Sequence, residues 1–390
     1  MDSKDYKETL NLPKTQFPMR GNLPKKEPEI LKKWQEIDLY GKLLKEHQCD
    51  EKFILHDGPP YANGHIHIGH ALNKILKDIV IKSKSMQGYQ TPFVPGWDCH
   101  GLPIERAVFK KIKKRKDEVD PLEVRKLCRE YAENWVKVQK EEFIRLGVLG
   151  DWNNPYLTMT PSYQADIVRE LGKFYEKGLV YRAKKPVYWC PSCITALAEA
   201  EIEYSEEKSP SIYVAFEVLS PEERELPDNT YLVIWTTTPW TLPANVAVAV
   251  NPELDYVLLA SGDKVFIVAK ELLSDFKDKT GTSGEVLKTL KGSDLEGLSY
   301  KHPFIDRVGK VVLADYVASD TGTGLVHIAP GHGEEDYQVG LNYSLPVLVP
   351  VDDYGRFNSE APSWLEGVKI WEANKLITQK LKETGSLLYE

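Results

Sequence analysis

Three histidines, His65, His67 and His70, fall within six residues of the stretch "PPYANGHIHIGHALNKILKD", Pro59–Asp78. Imidazoles so closely grouped can bind a metal, exchange protons or donate to a phosphate. The surrounding order is an apolar segment, a loop rich in Gly, Pro and Asn, and the start of an amphipathic run. That order presents backbone N–H groups to an anion at a helix N-terminus. It is neither the dinucleotide fingerprint nor the Walker A pattern. His67 and His70 stand at i, i+3, so their rings share one face. Ring N–H groups there can donate to phosphate oxygens whose charge rearranges during reaction at phosphorus, which is electrostatic stabilisation of a transition state. Gly69 between them has no Cβ and lets a flat ring approach the backbone. Zinc needs three or four ligands, which H-x-H alone does not supply, and H-E-x-x-H is absent. The bland alternative, histidines that cap and pack, stays open, for His65 above all.

Two further groupings lie downstream. "TTTPWTLPANVAVAV", Thr236–Val250, opens on three threonines, and "GTGLVHIAPGHGEEDY", Gly322–Tyr337, carries His327, His332 and Asp336. In isolation the threonines read as strand propensity followed by turn chemistry, and Asp336 as a surface carboxylate. No Ser/His/Asp spacing is present. "WCPSC" places Cys190 and Cys193 at the C-x-x-C spacing of zinc ligands. Cys49, Cys99 and Cys128 form no matching pair.

The elements that must carry these residues differ between the two halves. Residues 1–45 are dotted with Pro and then helical. "KFILH" at 52–56 reads as a short strand. From Ile68, the apolar residues Leu72, Ile75, Leu76, Ile79 and Val80 predict a helix with one buried face. Helices follow around 103–115, 121–147 and 162–178. After about residue 205 the texture becomes short, β-branched runs: "SIYVAFEV", "TYLVIWT", "VAVAV", "DYVLLA", "KVFIVAK", "GKVVLADYV", "GLVHIAP" and "LPVLVPV". The last stretch, "WEANKLITQKLKETGSLLYE", reads as helical. A chain of 390 residues with 42% apolar and 28% charged content has room for two or three domains. No apolar run is long enough to span a membrane, and the first residues lack a secretory h-region. An odd, sparse set of five cysteines fits a reducing cytoplasm. A net charge of −8 argues against a generally basic nucleic-acid binder. The basic run "KKIKKRK", Lys110–Lys116, reads as a solvated face.

His67-Ile68-Gly69-His70 resembles the signature tetrapeptide of class I aminoacyl-tRNA synthetases. The longer string "GPPYANGHIHIGHALNK" and a second, "GWDCHGLPIE" at Gly96–Glu105, resemble the isoleucyl branch of that family. The likeness extends over essentially the whole chain. It implies an α/β protein: the first half of a Rossmann-like nucleotide-binding fold, followed by an inserted, β-rich α+β editing domain. Residues 1–45 would be an N-terminal extension and 46–204 the first half of the catalytic domain with a partial zinc-ribbon C-x-x-C. Residues 205–390 would be the editing domain, with a closing helix at the end.

The resemblance also implies roles. His67 and His70 would contact ATP phosphates during adenylate formation, with Gly69 under the adenine and magnesium accompanying the ATP. Pro59 would line the adenylate pocket. Asp98 would pair with the α-ammonium of isoleucine, because a buried cation needs a buried anion. Trp97 and His100 would shape that pocket, and Cys99 would be a small core residue. Thr236, Thr237, Thr238, Thr241, Asn245, His327 and Asp336 would build an editing pocket. There Asp336 would hold the ammonium of a mischarged ester, while the hydroxyls and His327 position the ribose, the ester and a water. Such a pocket is needed because one methylene separates valine from isoleucine and is worth only about 1–3 kcal/mol, a limit for which the isoleucyl enzymes are themselves the standard illustration.

Several family parts do not occur in this sequence. "KSKSM", Lys82–Met86, directly follows the histidine helix and reads as a chance likeness to the family's lysine loop. A second cysteine pair, which would complete a zinc site with Cys190 and Cys193, is missing, as is a helical anticodon-binding domain. The chain is therefore expected to be an N-terminal portion of an isoleucine–tRNA ligase, monomeric and cytoplasmic, with isoleucine, ATP and isoleucine tRNA as partners. A stand-alone hydrolase of mischarged tRNA and a non-catalytic tRNA-binding piece are the alternatives. The intact histidine and threonine/Asp336 sets speak against the last.

Overall fold

The structure, a computed structural model, describes residues 9–11, 16, 20–48 and 50–390. Cys49 and much of the N-terminal extension before Arg20 lie outside the described residues. Contacts divide the chain into two units, Met1–Tyr181 and Arg182–Glu390.

The first unit is mostly helical: α1 (Leu23–Glu36), α2 (Leu39–Glu46), α3 (Ile68–Met86), α4 (Leu102–Ile112), α5 (Pro121–Arg145) and α6 (Pro161–Glu176). Its strands are short and parallel. β1 (Gly96–Trp97) runs beside β2 (Tyr156–Leu157), and single bridges join Lys52 to Gln90 and Tyr61 to Asp98. Parallel neighbours need a crossover, and α3 supplies the first one. The strand expected at 52–56 is reduced to the Lys52 bridge. The Gly96 N–H goes not to a backbone carbonyl but to the Asp57 carboxylate, at 2.9 Å, so a side chain interrupts the ladder.

Helix α3 lies where its periodicity predicts but buries the opposite face. Ile68, Leu72 and Ile79 are 86%, 60% and 56% exposed, whereas Lys74, Asp78, Ile81 and Ser85 are buried. Within this unit the polar face is the one with partners. Asp57, with no exposed surface, pairs with Lys74 and, at 2.7 Å, with Lys77. Lys74 also lies over the rings of Phe93 and Phe143, at 5.9 and 5.1 Å. Asp78 accepts the Leu149 N–H at 2.9 Å. "KSKSM" is the last turn of this helix, where Lys82 Nζ donates to Gly147 O at 3.0 Å.

The second unit begins with a hairpin, β3 (Tyr188–Cys190) and β4 (Thr195–Leu197). A ten-stranded mixed sheet comes next in the chain. Its strands are β5 (Ile212–Val218), β6 (Thr230–Thr236), β7 (Ala247–Val250), β8 (Asp255–Ser261), β9 (Lys264–Ala269), β10 (Glu285–Lys291), β11 (Ser299–Lys301), β12 (Val308–Leu313), β13 (Leu325–Ile328) and β14 (Leu387–Tyr389). The order is β10-β8-β9-β6-β5-β11-β12-β7-β13, with β14 also on β5. Helices α7 (Leu273–Thr280), α8 (Glu334–Asn342) and α9 (Ile370–Glu383) complete it.

The apolar runs are unbroken because both sheet faces are covered. Ile212, Val214 and Phe216 enter the largest core with Ala373, Ile377 and Leu381 of α9. Tyr213 and Ala215 of the same strand enter another with Phe276 of α7. "LPVLVPV" forms no strand beyond the Val351–Phe357 bridge, since Pro346 and Pro350 carry no ladder donor. The closing helix ends at Glu383. Gly385, at φ 69°, turns the chain into β14 instead.

Replacing Asp57 by Ala leaves Lys74 buried without its anion. Unfolding the variant in urea should show the first unit losing about 3–5 kcal/mol, the scale for breaking a buried pair. A loss below about 1 kcal/mol would show that Lys77 and Gly96 do not depend on this carboxylate.

Candidate functional site

His67 is the N-cap of α3, with extended backbone angles. Its Nδ1 accepts the Gly69 N–H at 3.1 Å, and His70 Nδ1 accepts the His67 N–H at 3.3 Å. The two rings stack with centroids 3.8 Å apart. These bonds satisfy two of the helix's orphan donors. They also fix the tautomer: with each Nδ1 used as an acceptor, a neutral ring carries its proton on Nε2. Burial, then the neighbouring His67 and Lys74, lowers the His70 pKa, so that ring stays neutral at physiological pH. Two Nε2–H donors therefore remain at a helix N-terminus, where the macrodipole favours an anion. A Cβ on residue 69 would lie 3.0 Å from His67 Cε1, so glycine is what lets the His67 ring close on its own turn. A cavity at this helix start is lined by Gly58, Pro59, Pro60, His67, Gly69, His70 and Asn73, with Lys74 and Phe143 behind.

The second motif packs beside it. Trp97 is fully buried, and its indole N–H donates to Gln139 Oε1 at 3.0 Å. Gln139 Nε2 donates in turn to Tyr61 O and Gly64 O, at 3.1 and 2.8 Å, which ties the loop to α5. Asp98 is half-buried. Its Oδ1 accepts the His100 N–H at 3.2 Å and the Thr158 hydroxyl at 3.4 Å. The exposed His100 ring meets Thr158 O at 3.2 Å. Cys99 is buried, and burial raises its thiol pKa. His65 turns away from the stacked pair. Its Nδ1 pairs with Glu142, whose other oxygen accepts the Ile66 N–H at 3.0 Å. Burial opposes ionisation of Glu142, but the Ile66 amide and His65 outweigh it and hold the carboxyl below its usual range. Nothing in the sequence marked Gln139 or Glu142, two polar residues of a long helix.

In the second unit the threonine string forms the end of β6 and a 3-10 turn, Pro239–Ala244. Thr236 Oγ1 accepts the Thr238 N–H at 3.1 Å. The Thr241 hydroxyl donates to Thr238 O and lies 2.9 Å from His327 Nε2. Its one proton being committed, the hydroxyl accepts from His327, which is therefore the Nε2–H tautomer with a bare Nδ1. Among the described residues, His327 Nδ1 and His332 Nε2 are buried and lack hydrogen-bond partners. The His332 ring stands edge-on to Trp240 at 5.1 Å. Asp336 Oδ2 accepts the Ala329 N–H at 2.8 Å, and Oδ1 accepts from Tyr316 at 3.4 Å. Burial raises its pKa even so. Asn245 is buried and committed: Nδ2 donates to Ala247 O and Oδ1 accepts from Tyr300. Thr237 is half-buried.

Cys190 and Cys193 flank the tip of the β3–β4 hairpin, where the Cys193 N–H meets Cys190 Sγ at 3.4 Å. Two thiols are half of a structural zinc set. No group of three or more His, Cys, Asp or Glu able to hold a metal occurs among the described residues. No helix among those residues is long and apolar enough to cross a membrane.

Burial holds His302 at about 3 and His327 and His332 at about 4, all below the ordinary value of 6.5. Between those values the unfolded chain binds protons that the folded chain does not, so stability is full above pH 6.5 and falls with falling pH. Asp336, raised, works in the opposite sense as a single group. The melting temperature of the second unit should be lower at pH 5 than at pH 7. A melting temperature that is equal or higher at pH 5 would contradict neutral burial of these rings.

A family model described as tRNA synthetases class I (I, L, M and V) matches residues 29–366. Curated isoleucine–tRNA ligases match nearly the whole chain. That of Persephonella marina is 61% identical over 388 residues, 99% of this chain and 41% of the relative. That of a Sulfurihydrogenibium species is 60% identical over 389 residues, with the same shares, and that of Aquifex aeolicus is 54% identical over 405. The chain spans about two fifths of the length of these relatives. With the histidine turn and the family match over 29–366 in agreement, this chain belongs to the class I tRNA synthetases of the I, L, M and V group.

Proposed function

We propose that this chain is part of an enzyme that uses ATP to join isoleucine to its tRNA and that removes valine from that tRNA by hydrolysis. The first unit would be the opening portion of a Rossmann-like nucleotide-binding domain, and the strand-rich unit an editing domain inserted into it. The relatives of 54–61% identity bear the name isoleucine–tRNA ligase. The observation that carries the reading is the pair of stacked rings at the start of α3, each with Nδ1 held by a backbone amide.

In the first unit, the isoleucine carboxylate would attack the α-phosphorus of magnesium-bound ATP. The Nε2–H groups of His67 and His70 would donate to phosphate oxygens as charge shifts toward the leaving pyrophosphate. Preorganised donors of this kind stabilise the transition state more than the ground state. Pro59 lies on the wall of that cavity. The Asp98 carboxylate would hold the amino-acid ammonium, with Trp97 and His100 shaping its surroundings.

In the second unit, water would attack the ester carbonyl of the mischarged tRNA. His327 offers a lone pair on Nδ1 and, with a pKa near 4, is too weak a base to hold the water's proton. Its role would be to accept a hydrogen bond from the ribose hydroxyl or the water. Asp336 would hold the substrate ammonium, which draws its raised pKa back down. Thr236, Thr237, Thr238 and Thr241 would orient the ester and the water. Rate would come from positioning, with no covalent intermediate.

Incubating this chain with isoleucine tRNA carrying valine, and separately carrying isoleucine, tests the hydrolytic half. The valyl ester should be hydrolysed and the isoleucyl ester spared. Asp336→Ala, checked for folding by circular dichroism, should slow the valyl reaction by about 100-fold as the ammonium loses its partner. Equal hydrolysis of both esters, or of neither, would contradict the reading.

A further inference from the structure

The turn that carries Thr241 and is capped by Asn245 has few hydrogen bonds of its own. It is six residues long and contains Pro239 and Pro243, neither of which has an N–H to give. Of the carbonyls at its end, that of Leu242 accepts the Asn245 N–H at 2.9 Å; the rest, like those of any short helix, need donors from elsewhere. Further donors come from one loop, residues 302–307, between β11 and β12. His302 Nε2 lies 2.9 Å from Leu242 O. Arg307 Nη1 donates to Pro243 O and to Asn245 O, both at 2.8 Å, one proton to each.

The loop is itself held in shape. His302 is almost fully buried, and its Nδ1 accepts the Phe304 and Ile305 N–H groups at 3.3 and 3.2 Å. With Nδ1 an acceptor twice over, the ring proton sits on Nε2, aimed at Leu242 O. The His302 ring packs edge-on to Phe216 and Phe304. Beside it Tyr300 donates to Asn245 Oδ1 at 2.7 Å. Arg307 places a cation at the negative end of the turn. On the other side of the turn, the Thr241 hydroxyl accepts from His327 Nε2 at 2.9 Å, and the Trp240 backbone N–H donates to Asn374 Oδ1 of α9 at 3.0 Å. The three carbonyls so held, those of Leu242, Pro243 and Asn245, follow Thr241 closely in the chain.

We propose that His302 and Arg307 are positioning residues of the hydrolytic site, fixing Thr241 and Asn245 through the backbone carbonyls of the turn. The proposal rests on the hydrolytic reading of that site. Neither residue touches the substrate. Their contribution is to keep Thr241 where His327 Nε2–H can reach it, which keeps His327 in the tautomer whose Nδ1 is a bare acceptor. A lysine at 307 retains the charge but not the fork that bonds two carbonyls from one nitrogen.

The test uses the full 390-residue chain and two readouts. In Arg307→Ala, kcat for the valyl ester should fall by up to about 100-fold, the scale for a displaced reacting group. KM should stay within about two-fold, since the groups that hold the tRNA are unchanged. Millimolar guanidinium should restore part of the rate. Arg307→Lys should fall between, and His302→Gln should retain more activity than His302→Ala because its amide can still donate to Leu242 O. Independently, nitrogen NMR of the His327 ring should show the Nε2–H tautomer in the unaltered chain and a mixture in Arg307→Ala. If Arg307→Ala does not fold, Arg307→Lys carries both measurements. A folded Arg307 variant with unchanged His327 nitrogen signals and a rate within about two-fold of the original overturns the proposal. If the unaltered chain hydrolyses nothing while the His327 signals shift in the variant, the positioning stands and the hydrolytic reading falls.

Discussion

The first unit turns on one carboxylate. Asp57 has no exposed surface and gathers Lys74 and Lys77 from α3 and the Gly96 N–H from β1. Its own carbonyl accepts the Tyr156 hydroxyl. An ionised group taken so far out of water persists only with partners of this number and charge. The consequence is geometric. Two lysines one turn apart set the roll of α3 about its axis, and the roll decides where the first turn of the helix points. Burial and Lys77 lower the Lys74 pKa, and Asp57 resists that shift, so the pair is a balance between desolvation and attraction.

The two units put neutral histidine to opposite uses. At the start of α3, backbone amides occupy Nδ1 of His67 and His70, leaving donors on Nε2. In the second unit, the Thr241 hydroxyl accepts a hydrogen bond from His327 Nε2–H, leaving an acceptor on Nδ1. Donors suit phosphate oxygens, and an acceptor suits a hydroxyl or a water. In each case the neighbouring polypeptide selects the tautomer, and depressed basicity keeps His70 and His327 uncharged. The same residue type therefore serves opposite hydrogen-bonding ends without a change of protonation.

Much of this was legible in the sequence. The H-x-G-H turn at a helix start, the helices after it and the strand-rich second half all announce themselves by residue spacing and β-branched runs. The apolar face of α3 was legible too, but its burial was not. Periodicity shows that Leu72 and Ile79 form a stripe, whereas which face has partners depends on the Asp57–Lys74 pair, 17 residues apart in the chain. "LPVLVPV" has strand composition, yet its prolines cannot feed a ladder. Glu285–Lys291 is a strand despite three charged residues, because it lies at a sheet edge where only β8 needs to be satisfied. Gln139, Glu142 and Arg307 left no mark, since a polar residue that reaches backbone groups 62–78 residues away in the chain follows no local pattern.

Everything proposed for the first unit depends on backbone amides setting the tautomer of the signature histidines, so that their Nε2–H groups face the phosphate. Nitrogen NMR of His67 and His70, recorded with and without magnesium-bound ATP, measures that directly. Neutral rings protonated on Nε2 are expected before ATP is added, with the Nε2 signals of both moving as it binds and the Nδ1 signals holding still. Protonation on Nδ1, or ATP binding that moves neither Nε2 signal, would contradict it.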